Sequence, residues 1–320
     1  MLKYRLIFGP ILIALLVGVF AGDYWLEQHG WPKGVALLAL AALAVGMAGV
    51  EFAHFLKTKG FPVTTGTVVV AALIGLISVP FEQWMHEAGR AKALALSQGQ
   101  TLFLIADHPF DWSMSAVCFI AVFFLYAMFR HAQRTRSPEG ALMVGGAVVL
   151  SAVYLGVLTG FLVLLRIDFG LPCAIAIIMT TKACDIGAYF TGRAIGKNKL
   201  IPWISPGKTR EGLAGGVVLS SLVAVACQQI TLPAAVLGGG PILPVCCPLT
   251  AAAFGAALAV LGQCGDLLAS MFKRDAGVKD SGSSLPGFGG LIDVLDSPIA
   301  IAPLAYGAMK VLAGCARCGE

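Results

Sequence analysis

The sequence predicts an all-α, polytopic membrane protein with about nine transmembrane helices and a cytoplasmic N-terminus. The first observation is composition: the 320 residues are 58% hydrophobic and only 12% charged, with a mean hydropathy of +0.85. Soluble domains carry about 25% charged residues. The second observation is a series of apolar runs near the length of about 20 residues that a spanning helix needs. The third is the uneven distribution of lysine and arginine along those runs.

Nine apolar runs are candidate spans. They lie near residues 6–22, 34–56, 61–80, 113–130, 140–165, 171–191, 212–238, 248–272 and 292–314. Lys3 and Arg5 precede the first run, whose length favours a retained helix over a cleaved signal peptide. With nine alternating spans, the longer outside segment is 81–112, and the later outside connections 166–170 and 239–247 are short.

The basic residues orient these spans. If the N-terminus lies inside, 15 of the 22 Lys and Arg fall in inside segments and five fall outside. This asymmetry follows the positive-inside rule and places the basic loops in the cytoplasm. The net charge of +5 is therefore explained by topology, and it does not require a nucleic-acid partner.

The polar residues divide the chain into two regions. Residues 1–137 hold the first four spans, and residues 138–320 hold spans five to nine with two polar cytoplasmic loops, 192–211 and 273–291. We predict that the second region is catalytic. All five histidines fall in the first 131 residues, so a metal in the second region is expected to be a hard, oxygen-bound ion.

The segment GQCGDLLASMFKR, 262–274, carries a polar stripe on the eighth span. Asp266, Ser270 and Lys273 are spaced i, i+4, i+7 and share one helix face. A charged residue within a span is costly and often marks a functional site. The alternative is an Asp–Lys pair that only fixes helix packing.

Further aspartates follow this stripe. Asp293 and Asp296 open the ninth span one turn apart, where like charges repel unless a cation lies between them. Mg²⁺ prefers carboxylate oxygens and keeps water or phosphate oxygens as other ligands. With Asp266 and Asp280 expected at the same face, we predict a Mg²⁺ site and leave a second metal ion open. The alternative is that both aspartates favour the positive end of the helix dipole.

Two glycine-containing segments are candidate phosphate sites. LPGFGG, 285–290, forms a glycine-rich turn whose backbone N–H groups could approach an anion. SPGKTREG, 205–212, lies just before a predicted helix, but it is not a Walker A motif because Pro202 stands where that motif needs glycine. The candidate substrate-binding residues are Ser205, Lys208, Thr209, Ser270, Lys273, Arg274, Gly287, Gly289, Gly290 and Asp185. Lys182 and Asp185, at i, i+3, can also be explained as a neutralising pair within the bilayer.

The two segments together resemble the phosphatidate cytidylyltransferases. SMFKRDAGVKDSGSSLPGFGGLIDVLD is similar to that family's C-terminal signature, and CDIGAYFTGRAIGKNKL with SPGKTREG is similar to its upstream stretch. Phe288 stands where the signature has histidine, and Val294 stands where it has arginine. Phosphate needs little help from a general base as a nucleophile, so we expect activity to survive the first change.

The resemblance implies an enzyme that transfers the cytidylyl group of CTP to phosphatidic acid, giving CDP-diacylglycerol and pyrophosphate with Mg²⁺. Its implied catalytic residues are Asp266, Lys279, Asp280, Asp293 and Asp296, the four aspartates serving the metal. It also implies a homodimer in the inner membrane with a cytoplasmic active site. A CTP-dependent lipid kinase would use the same groups, and an anion or lipid transporter is the third hypothesis.

Overall fold

The chain is seen in a computed structural model that describes residues 2–97, 115–232, 240–278, 281–282 and 289–318. Contacts divide it into two packing units. One unit comprises residues 1–37 and 161–320, and the other comprises residues 38–160. The predicted functional boundary at residue 138 stays a prediction.

The described ranges are mainly helical. Helices α1 to α9 span Leu2–Gln28, Val35–Thr58, Thr65–Ser97, Ser115–Thr135, Ala141–Ser151, Leu158–Ile195, Arg210–Gln229, Pro248–Asp275 and Ile292–Cys318, and the π-helical segment Ala152–Val157 joins α5 to α6. Strand β1 (Lys199–Ile201) pairs antiparallel with β2 (Ser205–Thr209), and β3 (Thr231–Leu232) pairs antiparallel with β4 (Gly240–Pro241). The predicted all-α class is confirmed.

Six helical stretches of the described residues are long and apolar enough to cross a membrane. They are Val35–Thr58, Thr65–Met85, Ala141–Ile195, Arg210–Gln229, Pro248–Asp275 and Ile292–Leu312. The third contains two of the predicted spans, interrupted at Gly170, whose φ of 84° is a conformation that glycine tolerates. The chain is therefore a multi-pass membrane protein, and the count of nine spans stays a prediction.

Helix ends differ from the sequence prediction in three places. Helix α7 ends at Gln229 although its apolar run continues to residue 238. Helix α3 continues past the predicted end at residue 80 to Ser97. The predicted outside connection 166–170 is helical up to Gly170, because Arg166 has buried ionic partners within the fold and does not need to lie in a loop.

The unit of residues 38–160 is held together by close helix contacts around small residues. A Cβ added to Gly75 on α3 would lie 2.1 Å from the carbonyl oxygen of Ala152, so α3 and the π segment meet backbone to backbone. Phe52, Leu76 and Leu155 are buried in this unit. Small residues at helix crossings are how membrane helices maximise packing.

In the other unit, α6 to α9 surround a common apolar core. Its largest fully buried members are Leu165, Ile177, Leu243, Leu258, Ile301 and Met309. The hydroxyl of Ser220 on α7 donates to the carbonyl oxygens of Thr180 on α6 and Gly255 on α8, each at 2.9 Å. This shared contact fixes three helices relative to one another beneath the polar residues described below.

A buried ion cluster attaches α1 to α6 in the same unit. Arg166 Nε lies 2.7 Å from Asp23 Oδ2, and Arg166 Nη2 lies 2.6 Å from Glu27 Oε2. Asp23 is 1% exposed and also accepts a hydrogen bond from the backbone N–H of Ala36 at 3.0 Å. Arg166 and Asp23 therefore pair away from solvent, and Glu27, whose side chain is 28% exposed, lies at the edge of the cluster.

We expect Arg166→Met to destabilise the protein strongly. Breaking a buried ion pair by removing one partner costs about 3–5 kcal/mol, because the remaining charge stays buried without compensation. Thermal unfolding of the detergent-purified chain measures the effect, with Lys33→Met, at the exposed 3.8 Å pair with Glu27, as control. Equal melting temperatures for Arg166→Met and the wild type would contradict a stabilising role of the cluster.

Candidate active site

A cavity of about 390 Å³ opens between α6, β2, α7 and α8. Its lining combines acidic, basic, glycine and aromatic residues. They are Asp185, Ala188, Tyr189, Gly192, Arg193, Gly207, Lys208, Thr209, Gly212, Leu213, Gln263 and Asp266. Both polar segments singled out in the sequence, SPGKTREG and the stripe on α8, contribute to this single cavity.

The approach of α6 to α7 forms one wall of the cavity. A Cβ added to Gly212 would lie 2.8 Å from the carbonyl oxygen of Ala188 and 3.3 Å from Gly192 Cα. One added to Gly216 would lie 2.8 Å from the carbonyl oxygen of Cys184. The glycines therefore allow the two backbones to touch, which places the start of α7 and the preceding hairpin against α6.

The hairpin β1–β2 is fixed by contacts at both ends. Thr209 is the N-cap of α7, and its Oγ1 accepts a hydrogen bond from the N–H of Gly212 at 3.1 Å. The Glu211 carboxylate accepts from the backbone N–H of Lys197 and Asn198 at 3.2 Å. Arg274 Nε, at the end of α8, donates to the carbonyl oxygen of Ile204 at 3.3 Å. These contacts hold Lys208 in position over the cavity.

Lys208 and Asp266 form an ion pair across the cavity. The Nζ to Oδ2 distance is 2.6 Å, and the two side chains are 18% and 30% exposed. The sequence had left open an Asp–Lys pair along one helix, between Asp266 and Lys273. The structure instead pairs each of them with a residue from another segment.

Asp185 belongs to a second polar cluster on the cavity wall. Its Oδ1 accepts from Gln263 Nε2 at 3.3 Å, and its Oδ2 lies 3.3 Å from Lys182 Nζ. Lys182 Nζ also lies 3.5 Å from the carbonyl oxygen of Val294 on α9. The predicted Lys182–Asp185 pair is confirmed, and it extends from α6 to α8 and α9.

Asp296 lies close to the cavity because α8 and α9 cross at Gly265. A Cβ on Gly265 would lie 2.4 Å from Ala300 Cβ and 2.9 Å from the carbonyl oxygen of Asp296. Asp296 is 5% exposed, and its Oδ1 accepts from the Ser297 N–H at 2.6 Å. The charge of Asp266, the neighbour of Gly265, acts on the Asp296 carboxylate. The crossing therefore brings the Asp296 backbone next to the turn of α8 that carries Asp266.

Asp293 connects the glycine-rich turn to α8. Lys273 Nζ lies 2.5 Å from Asp293 Oδ1. Asp293 Oδ2 accepts from the Ser281 N–H and hydroxyl at 3.1 and 2.9 Å, and from the Gly290 N–H at 3.1 Å. One carboxylate therefore contacts α8, Ser281 and Gly290 at the same time.

The profile of the cytidylyltransferase family matches residues 5–312 of this chain. The chain belongs to the cytidylyltransferase family. It is similar to proteins named phosphatidate cytidylyltransferase from three organisms. It is 38% identical to that of Bacillus subtilis over 164 residues (50% of this chain, 56% of the relative) and 31% identical to that of Thermotoga maritima over 185 residues (57% of this chain, 65% of the relative). It is 30% identical to that of Pseudomonas aeruginosa over 309 residues, which are 95% of each chain. The chain thus covers just over half of the length of the Bacillus relative and nearly all of the length of the Pseudomonas relative.

Family membership confirms the resemblance but assigns no role to single residues. Among the residues that the structure describes, no group of three or more His, Cys, Asp or Glu lies close enough to hold a metal ion. The predicted residues Lys279, Asp280 and Gly287, and also Phe288, lie outside the described residues. The predicted set of four metal-binding aspartates therefore stays a prediction.

The remaining predicted residues that the structure describes occupy several environments in and around the cavity. Lys208, Thr209, Asp185 and Asp266 line the cavity. Ser205 begins β2, and Ser270 is buried on α8. Gly289 has a φ of 92°.

Eight of the twelve cavity residues were not among the sequence-based candidates, and two of these eight, Arg193 and Gln263, can bind polar groups of a ligand through a guanidinium and an amide. Spacing could have identified both. Gln263 lies three residues before Asp266, and Arg193 lies eight after Asp185, in each case on the same helix face.

Proposed function

We propose that this protein transfers the cytidylyl group of CTP to phosphatidic acid, giving CDP-diacylglycerol and pyrophosphate. Membership of the cytidylyltransferase family and similarity to proteins named phosphatidate cytidylyltransferase support the reaction type and the substrates. The structural observation that carries the proposal is the cavity in which Lys208 pairs with Asp266 beside Asp185 and Arg193. It offers basic groups to a triphosphate and carboxylates to a hard cation.

In the proposed reaction, a phosphate oxygen of phosphatidic acid attacks the α-phosphorus of CTP. A new P–O bond forms there, and the bond from the α-phosphorus to the bridging oxygen breaks, releasing pyrophosphate. Phosphoryl transfer depends chiefly on in-line positioning and on stabilisation of charge. Lys208 and Arg193 would bind phosphate oxygens, and the crossing of α6 with α7 would keep the Lys208 ammonium aimed at them.

The chemistry of the donor set fits Mg²⁺ at Asp266 and Asp296. Both are carboxylates, they interact electrostatically, and Asp296 is buried with one oxygen already bonded to Ser297. Mg²⁺ is commonly bound by one or two carboxylates together with phosphate oxygens and water. Such an ion would supply neutralisation of the charge on the triphosphate. Asp266 and Asp296 would hold the ion, and Lys208, whose Nζ lies 2.6 Å from Asp266 Oδ2, would bind phosphate oxygens beside it.

We propose a positioning role for Asp293 and Lys273. Their ion pair, together with the bonds of Asp293 to Ser281 and Gly290, would hold these two residues in place relative to the end of α8. Arg274 would position the hairpin through Ile204 in the same way. We further propose that this surface faces the cytoplasm, which the positive-inside distribution of charges supports. We also propose that the protein lies in the inner membrane and forms a homodimer.

The test uses CTP labelled at either the α- or the γ-phosphorus. Membranes containing the protein receive phosphatidic acid, Mg²⁺ and one of the two labels, and the lipid fraction is then extracted. We expect α-label in the lipid and none from the γ-position, with no transfer in membranes lacking the protein. Label from the γ-position alone would identify a lipid kinase. No turnover by the purified, folded protein would favour a transporter, and either result would overturn the proposal.

A further inference from the structure

The unit of residues 38–160 contains a cavity of its own, of about 540 Å³, bounded by the start of α3, the second half of α4 and α5. Nothing in the proposed transfer reaction uses it. Basic residues line one part of it, and apolar residues line another. We propose that this cavity binds an anionic phospholipid, with the phosphate group at the basic part and an acyl chain against the apolar part.

The basic part is formed by the end of α4. Arg130 and Arg134 are one turn apart and both line the cavity, as does His131 between them. Arg130 Nη1 donates to the hydroxyl of Tyr126 at 2.5 Å, and its guanidinium carbon lies 5.7 Å from the Tyr126 ring centre. These contacts limit the positions of the guanidinium group. Arginine binds phosphate oxygens through two parallel N–H donors, which suits this site to a phosphate group.

The start of α3 adds to the positive potential at the same place. Thr64, which directly precedes this 33-residue helix, lines the cavity together with Gly66 and Thr67 of its first turn. The N-terminus of a helix carries partial positive charge and attracts anions. Lys57 Nζ donates to Thr65 Oγ1 at 2.7 Å, so a further cation is held beside that turn.

A packed turn lies beside the cavity. His131 Nε2 and the carbonyl oxygen of Glu139 are 2.9 Å apart, which attaches the turn after α4 to the helix. Gly140 in that turn has a φ of 78°, and a Cβ there would lie 2.7 Å from Pro62 Cγ. The turn thus packs directly on a residue of the cavity wall.

The apolar part of the cavity is formed by residues of α3, α4 and α5. Val70 and Phe123 line the cavity one to two turns from its basic end, with Val144 opposite them on α5. Val70 is 43% exposed and Tyr126 is 49% exposed. A site with a phosphate-binding end and an apolar wall fits an amphipathic ligand better than free phosphate, which would leave the apolar wall without a partner.

The positive-inside rule alone does not explain this arrangement. It predicts basic residues in the loop or at the helix end, and exposed lysines such as Lys59 satisfy it. It does not predict that Arg130 and Arg134 line a cavity. The segments 54–70 and 123–144 together contain three arginines and two lysines against one acidic residue, Glu139, so an anion is favoured there.

The experiment measures lipid binding to the full-length protein by native mass spectrometry in detergent, with phosphatidylglycerol, phosphatidylcholine and inorganic phosphate as probes. We expect preferential binding of phosphatidylglycerol, and an affinity lower by about tenfold or more when Arg130→Gln and Arg134→Gln are combined. Lys59→Gln combined with Arg136→Gln removes the same charge outside the cavity lining and should leave the affinity unchanged. Val70→Trp keeps every charge but fills the apolar wall, and it should also lower phosphatidylglycerol binding.

Three results would overturn the proposal. Equal losses in the two double variants would mean general charge attraction. Inorganic phosphate binding that depends on Arg130 and Arg134, with lipid binding unaffected by Val70→Trp, would mean an anion site without a lipid. Equal binding of phosphatidylcholine and phosphatidylglycerol would remove the role of the basic part. None of these results bears on the transfer reaction, which the label experiment tests separately.

Discussion

Replacing Asp266 with asparagine is expected to lower cytidylyl transfer by about 100- to 1,000-fold, the loss typical when one preorganised charged or donor group is removed from a reaction centre. Asp266 lines the cavity. Its carboxylate contacts Lys208 at 2.6 Å and acts electrostatically on Asp296. Asparagine keeps the shape and removes the charge. Transfer of α-label from CTP to lipid at several Mg²⁺ concentrations measures the effect, and we expect the Mg²⁺ concentration for half-maximal activity to rise.

The matched control is Asp168→Asn. Asp168 also forms a carboxylate–lysine pair, at 2.5 Å from Lys310, and it accepts a hydrogen bond from the Tyr306 hydroxyl at 2.8 Å, but it does not line the cavity. This variant should retain transfer and its Mg²⁺ dependence even if its melting temperature falls. Near-normal transfer by a folded Asp266→Asn variant would contradict the proposed site.

The helices of this protein could be predicted because a bilayer makes them obligatory. In hydrocarbon, every backbone polar group needs an internal partner, so a long apolar run becomes a helix. Helix ends are set by other contacts. Arg166 stays within α6 because Asp23 and Glu27, more than a hundred residues earlier, compensate its charge. No local pattern carries that information.

The candidate site was predictable in part for a similar reason. Helical spacing groups Asp266, Ser270 and Lys273 on one face, but it does not identify their partners. In the structure, Asp266 pairs with Lys208, and Lys273 pairs with Asp293. Both pairs depend on close helix crossings, which the glycines Gly212 and Gly265 allow. Thr209 is predicted to bind substrate, and in the structure it also caps the N-terminus of α7. Which groups meet depends on helix crossings, and a single sequence does not report these.

Substitution of either member of the Asp293–Lys273 ion pair is also expected to lower cytidylyl transfer strongly. We expect Asp293→Asn and Lys273→Met each to lower transfer by about 100-fold, because a displacement of about 1 Å in a positioned site can cost that much. Both side chains are largely buried, at 14% and 13% exposed, and Asp293 also holds Ser281 and Gly290. Since both changes break the same ion pair, the double variant should be no less active than the less active of the two single variants, a non-additivity typical of residues in contact.

This cycle separates positioning from metal binding. If Asp293 positions the turn, excess Mg²⁺ restores neither single variant, and the melting temperatures of both fall together. If Asp293 binds the metal, as the family resemblance implies, Asp293→Asn alone responds to Mg²⁺, and the losses add in the double variant. Lys310→Met, which breaks a similar pair away from the cavity, controls for the loss of a lysine. The contacts of Asp293 favour positioning, because its two oxygens already accept from Lys273, Ser281 and Gly290.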